Sequence, residues 1–105
     1  MDKKEIIDFI ENFKYRGGIE NKQSIEIFFL EGNCYWFAFI LRERFSELDL
    51  FYDPVEGHFY AGDGDVFYDW LGMYTKPMLP NIIKLSVINT TDPVWYERIL
   101  CDCKY

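Results

Sequence analysis

The stretch GNCYWFAFIL, residues 32–41, predicts a buried helix that carries a cysteine in its first turn. Gly32 and Asn33 suit the entry to a helix, because an asparagine side chain accepts a hydrogen bond from an unpaired first-turn amide. The residues that follow are apolar on every side, so we expect protein around most of this helix, which we predict from Cys34 to about Phe45. Because the start of a helix stabilises a thiolate, Cys34 is a candidate nucleophile.

The composition of the 105 residues predicts one soluble domain. Half of the residues are hydrophobic and 20% are aromatic, which is enough to fill a core without disulfides. The net charge of −7 argues against binding to nucleic acid or to anionic membranes, since both require basic patches. No stretch approaches the roughly 18 apolar residues of a membrane span, and the N-terminus lacks the pattern of a signal peptide. Three cysteines, an odd number, favour a reducing compartment, so we expect a cytoplasmic protein without a cofactor.

Hydrophobic spacing predicts further helices and strands on both sides of the cysteine helix. Residues 2–15 carry an apolar stripe at helical spacing, and residues 24–31 favour a short second helix. Strands are predicted at 48–52, 58–61, 66–70 and 82–88, whereas Gly72 and the segment 76–80 are predicted to break regular structure. Asp92-Pro93 predicts the start of a terminal helix whose buried side includes Val94, Tyr96, Ile99 and Leu100. This sequence of elements is typical of an α+β fold.

The only histidine, His58, is predicted to lie opposite Asp69 in a hairpin. Asp63-Gly64 indicates a tight turn between two aromatic-rich strands. Whether the loop comprises residues 63–64 or 62–65, the same pairing follows, with the two Cβ atoms about 4.5–5.5 Å apart. The carboxylate would then orient the imidazole, whose other nitrogen can take up a proton.

A cysteine at a helix start, a strand histidine and a carboxylate on the next strand follow the order that thiol catalysis requires. The segment from Gly32 to Phe39 resembles the cysteine signature of papain-like proteases. Gly57-His58-Phe59 and Tyr68-Asp69-Trp70 are similar to segments of small papain-like proteins of the NlpC/P60 type from bacteria and phages. The resemblance implies one papain-like domain over residues 1–105, in which the cysteine helix packs on a small antiparallel sheet.

The resemblance also implies a thiol-dependent hydrolase or acyltransferase that acts on an amide, isopeptide or thioester bond. Cys34 is then the nucleophile, His58 the general base and Asp69 the residue that orients it. Asn33 and Tyr35 are the candidate oxyanion-binding and substrate-binding residues. The partner of such a site is a peptide or amide substrate.

Two other hypotheses fit the same residues. One is a non-catalytic domain that keeps the papain-like fold as an interaction module for a protein partner, for example a phage accessory or assembly protein. Its support is the small size of the chain and the lack of a clear counterpart to the papain-type oxyanion glutamine. The other is a structural zinc set of Cys34, His58, Cys101 and Cys103, which we rank below Cys101 as a core residue and Cys103 as a surface residue.

Overall fold

The computed structural model describes residues 3–14 and 34–104. Within these ranges it contains, in chain order, α1 (Lys3–Lys14), α2 (Cys34–Arg44), β1 (Asp49–Asp53), β2 (His58–Gly62), β3 (Val66–Asp69), β4 (Gly72–Thr75), a 3-10 helix (Lys76–Met78), β5 (Ile83–Lys84), α3 (Leu85–Thr91) and α4 (Pro93–Lys104). The predicted α+β class is confirmed, and so are the first helix, the cysteine helix and the terminal helix. The helix predicted at 24–31 lies outside the described residues.

The five described strands form one antiparallel sheet in the order β4-β3-β2-β1-β5. Side chains alternate between the two faces of a strand, so each strand contributes to two different surfaces. One surface, the helix face, packs against α1, α2, α3 and α4; its strand residues are Leu50, Tyr52, Phe59, Ala61, Val66 and Tyr68. From the helices, this core receives Ile6, Ile10, Phe37, Ala38, Leu41, Leu85, Ile88, Ile99 and Leu100. None of the described helices is long and apolar enough to cross a membrane.

The other surface of the sheet, the cavity face, carries a second and smaller apolar cluster. Its buried members are Phe51, Tyr60, Phe67 and Leu79. None of them belongs to one of the four described helices. By the same alternation, Asp53, His58 and Asp69, which lie two residues from Phe51, Tyr60 and Phe67 on their strands, project from this face.

The hairpin between β2 and β3 has a different register from the one predicted. The predicted pairs were Gly62 with Asp65, or Ala61 with Val66, whereas the structure pairs Gly62 with Phe67 and Ala61 with Tyr68. The direct pairing of His58 with Asp69 is therefore wrong by two positions. A shift of two leaves every side chain on its predicted face, because the side-chain period of a strand is two.

The longer loop is stabilised by the side chain at its start. Asp63 Oδ1 accepts hydrogen bonds from the backbone amides of Asp65 and Val66, both at 2.9 Å, and the Asp63 amide donates to the Val66 carbonyl at 3.1 Å. Gly64 within this loop has φ +103°, a value that favours glycine. Pairing of β3 with β2 therefore begins at Phe67 rather than at Val66.

The C-terminal third departs from the predicted elements in three places. Residues 72–75, where only a break at Gly72 was predicted, form β4, and residues 82–88, expected to be a strand, form only the short β5 before α3 begins. The alternation of Ile83, Leu85 and Val87 suggested the strand, but the structure buries Leu85 and Ile88 at helical spacing and exposes Val87. In α4, Val94 is 80% exposed rather than buried.

Candidate functional site

The carboxylate of Asp69 is the centre of a hydrogen-bonded cluster on the cavity face. Asp69 ends β3, and its Oδ1 accepts from the amides of Leu71 at 2.8 Å and Gly72 at 3.2 Å. An aspartate that accepts from amides two and three residues ahead stabilises a tight turn, here the one between β3 and β4. Gly72, with φ +139°, completes this turn. These bonds fix the orientation of the carboxylate towards β2.

His58 contacts Asp69 across the two strands, as predicted from the shared face. The distance from His58 Nε2 to Asp69 Oδ2 is 2.9 Å, and both side chains are largely buried. Because a carboxylate only accepts, the Nε2–H of His58 donates this bond. The imidazole also meets the ring of Tyr60 edge-on at 4.7 Å between centroids. The cluster therefore holds the histidine ring in one orientation.

Asp53 occupies the corresponding position at the end of β1. Its Oδ1 accepts from the amides of Val55 at 2.9 Å and Glu56 at 3.3 Å, so it stabilises the turn between β1 and β2. The residue is only 4% exposed, and its cross-strand neighbour is His58. The two buried aspartates thus flank the histidine from different strands.

Two tyrosines complete the polar part of the site. The ring centroids of Tyr60 and Tyr74 lie 5.4 Å apart. Burial first, and then the charge of Asp69 and a hydrogen bond to that carboxylate, raise the pKa of Tyr74 to about 12. The pKa of Tyr60 also lies above its ordinary value, through burial first and then through the charge of Asp69 and other nearby acidic groups. Both hydroxyls therefore remain protonated at neutral pH and are available as donors.

These groups line a cavity of about 570 Å³ on the cavity face. This volume lies within the range of small-ligand sites. The described residues that line it are Asp53, Val55, Glu56, His58, Tyr60, Asp69, Leu71, Tyr74, Met78, Leu79, Pro80 and Asn81. They include carboxylates, hydroxyls, an amide and aromatic rings, but no cysteine, serine, threonine or lysine. Chemically, the cavity is a site that accepts hydrogen bonds and attracts cations.

The remaining predicted site residues, Asn33, Cys34 and Tyr35, belong to α2 or directly precede it. That helix, α2, packs on the helix face, whereas His58 and Asp69 lie on the cavity face. Tyr35 is buried in the helix-face core, with its ring edge-on to Phe59 at 5.2 Å. Asn33 lies outside the described residues. The catalytic and substrate-binding roles of Cys34, Asn33 and Tyr35 stay predictions.

The cysteine and histidine of the zinc hypothesis that the structure describes also do not meet. Cys101 lies on α4, on the helix side of the sheet, and it is exposed, so its predicted place in the core is wrong. His58 projects from the cavity face instead. Among residues 3–14 and 34–104, no three histidine, cysteine, aspartate or glutamate residues are arranged to hold a metal ion.

Sequence motifs did not indicate Asp53 as a member of this cluster. Asp53 was interpreted only as the start of a turn, although it follows a strand just as Asp69 does. Tyr60 lies two residues after His58 and must share its face, so the period of the strand was a usable signal. The abundance of aromatic residues leaves a role in the core and a role in a groove open for Tyr60 and Tyr74, and both line the cavity. Tyr74 lies in β4, which was not predicted.

Fold and site together define a small α+β domain that carries a polar cavity on the sheet face turned away from its helices. The chain belongs to the phage YunG-like protein family, whose model matches residues 12–99. The match spans Cys34, His58 and Asp69, so the expected membership in the papain-like NlpC/P60 group is wrong. No curated protein and no solved structure matches the chain.

Proposed function

We propose that this protein is a non-catalytic interaction module, a phage accessory or assembly protein, that binds a protein partner at the cavity face. Membership in a phage-related family supports the biological setting. The cavity supports the binding role, because a concave surface with a few convergent polar groups is the usual form of a recognition site.

The observation that carries the proposal is that the histidine–aspartate pair projects from the sheet face opposite to the one that α2 covers. A thiol nucleophile needs a base within hydrogen-bond reach, of the order of 3 Å. The pair of His58 and Asp69 lies on one face of the sheet, and α2, which begins at Cys34, packs on the other. Without a cysteine, serine, threonine or lysine among the described lining residues, the cavity is suited to binding.

In this role the histidine–aspartate contact positions the walls of the binding site. Asp69 joins β2, through His58, to the turn before β4, through the amides of Leu71 and Gly72. It also accepts a hydrogen bond from Tyr74 on β4. The contact therefore keeps three strands and both tyrosine rings in a fixed arrangement around the cavity.

Alkylation of Cys34 by iodoacetamide as a function of pH tests the proposal. Wild type and His58→Ala are compared, peptide mapping separates Cys34 from the other two cysteines, and exposed Cys101 serves as the reference thiol in each sample. We expect the pH dependence of Cys34 to be the same in both proteins, because in a non-catalytic module the imidazole does not assist the thiol. Circular dichroism confirms that the variant is folded.

The opposite result has a distinct form. If Cys34 reacts well below the pKa of about 8.5 of a free thiol, and loses this reactivity in His58→Ala, a thiolate–imidazolium pair exists. That outcome refutes the non-catalytic role.

A further inference from the structure

Two buried residues that line the cavity each carry a polar atom without a hydrogen-bond partner among the described residues. Asp53 uses Oδ1 for two backbone amides, while its Oδ2 receives no hydrogen bond and forms no ion pair there. Tyr60 is 95% buried, and its hydroxyl makes no hydrogen bond within the same part of the chain. Both residues line the cavity, so these two polar atoms are available to a ligand that enters it.

The charge around these two groups has one sign. Asp53, Glu56 and Asp69 line the cavity, and no described lysine or arginine does. Asp69 has its own donors, the His58 imidazole, the Tyr74 hydroxyl and two amides. The groups that remain for a ligand are Asp53, Glu56 and the Tyr60 hydroxyl. A ligand that complements them must bring positive charge and several hydrogen-bond donors.

The rim of the cavity is apolar and exposed. Val55, Leu71 and Met78 are 70%, 60% and 60% exposed, and all three line the cavity. They come from three separate segments, the two turns that Asp53 and Asp69 stabilise and the 3-10 helix. Apolar side chains grouped around a polar centre are typical of a protein-binding surface, in which a central anchor is surrounded by contacts that exclude water.

Building on the interaction role proposed above, we propose that the cavity binds an arginine side chain of a partner protein, flanked in the partner sequence by apolar residues. The guanidinium donates to Asp53 Oδ2, to the Glu56 carboxylate and to the Tyr60 hydroxyl. The flanking apolar side chains of the partner cover Val55, Leu71 and Met78.

Arginine fits this cavity better than other cations for two physical reasons. Its planar guanidinium carries five donors in a fixed fork, which matches several acceptors at once, whereas lysine presents a compact point charge. The guanidinium also stacks on aromatic rings, and Tyr60 and Tyr74 supply two neighbouring rings. A small polyamine would satisfy the charge but would leave the apolar rim uncovered.

Titration of the ¹⁵N-labelled chain with capped peptides, followed by NMR, tests this inference. The probes are acetyl-Leu-Arg-Leu-amide and two matched peptides in which lysine or citrulline, the neutral isostere, replaces arginine. We expect saturable shifts of the amides in residues 53–60 and 69–74 with the arginine peptide. The lysine peptide binds more weakly, and the citrulline peptide binds at least about tenfold more weakly.

Three variants locate the contacts. Asp53→Asn keeps an acceptor for the two turn amides but removes the charge, and it weakens binding about tenfold. Tyr60→Phe keeps the ring contacts and weakens binding about threefold. Asp8→Asn makes the same chemical change on an exposed residue of α1, on the other side of the sheet, and leaves binding unchanged.

Several results would overturn the inference without touching the proposed function. Equal binding of the arginine and citrulline peptides would show that the cavity face binds without recognising a cation. Unaltered binding by a folded Asp53→Asn variant would remove the central contact, and tighter binding of spermidine than of the arginine peptide would assign the cavity to a small polyamine. The absence of any saturable shift would also refute it, while the Cys34 alkylation result decides the non-catalytic role separately.

Discussion

Replacing Asp69 with alanine removes the group on which four hydrogen bonds of the cavity face converge. The donors are His58 Nε2 at 2.9 Å, the Leu71 amide at 2.8 Å, the Gly72 amide at 3.2 Å and the Tyr74 hydroxyl. The carboxylate is 5% exposed, so water replaces it poorly as an acceptor. We expect this substitution to be among the most destabilising on the cavity face.

The size of the effect follows from the number and type of these bonds. An intramolecular hydrogen bond contributes about 1 kcal/mol net, and one to a charged group somewhat more. Part of the loss is recovered because the imidazole, the Tyr74 hydroxyl and the turn amides reach water in the opened cavity. Asp69→Ala should therefore lower the free energy of unfolding by about 3–5 kcal/mol. Asp69→Asn keeps an oxygen for the turn amides, but its NH2 group would face the Nε2–H of His58. Because two donors then oppose each other, this substitution should lower the free energy of unfolding by about 1–2 kcal/mol.

Urea unfolding monitored by tryptophan fluorescence measures both values. The midpoint should shift while the dependence on urea, the m-value, stays constant. Asp65→Ala, in the exposed loop between β2 and β3, is the matched control and should change stability by less than about 0.5 kcal/mol. A loss below about 1 kcal/mol for Asp69→Ala would refute the view that this carboxylate holds the cavity face together.

Two further predictions concern the hairpin and the tyrosines. Gly62→Ala should destabilise the protein by about 1–3 kcal/mol, because the added Cβ would lie 2.5 Å from Phe67 Cδ1 and 2.7 Å from the Val66 carbonyl oxygen; an unchanged urea midpoint would contradict the observed register. Since the pKa of Tyr74 is raised to about 12 by burial and by Asp69, the folded chain holds this proton more tightly than the unfolded chain, whose tyrosines ionise near 10. The contribution of the protonated Tyr74 hydroxyl to the free energy of unfolding is therefore complete below about pH 10 and lost between about pH 10 and 12. Thermal unfolding measured across this pH range should show a smaller loss of stability with rising pH for Tyr74→Phe than for wild type. An identical loss in both proteins would exclude a contribution from the ionisation of Tyr74.

The contact between His58 and Asp69 could be predicted although its register could not. The alternation of strand side chains assigned both residues to one face, and an error of two positions did not alter that assignment. The error came from the loop, where the Asp63 side chain accepts from the amides of Asp65 and Val66 and lengthens the turn. Turn signals in sequence specify that a chain reverses, but side-chain hydrogen bonds within the loop decide where pairing resumes.

The face on which the cysteine helix packs was the decisive feature that local patterns left open. Along β2, both faces carry large apolar or aromatic residues, Phe59 on one and Tyr60 on the other, so an apolar helix has two plausible surfaces to cover. The structure places α2 against Phe59. With that choice, His58 and Asp69 project from the sheet face opposite to the one that the helix covers.

The sequence by itself determined the features that depend on neighbouring residues. These are the α+β class, the helix that begins at Cys34, the helix that begins after Asp92, and the common face of His58 and Asp69, since capping, turn chemistry and the two-residue period act within a few positions. Only the tertiary structure decided the side of the sheet that the helices cover, the pairing of β4 and the burial of Asp53 and Tyr60 around a cavity. Those features depend on contacts between segments far apart in the chain, whose free energies are set by complementary packing that no local pattern records.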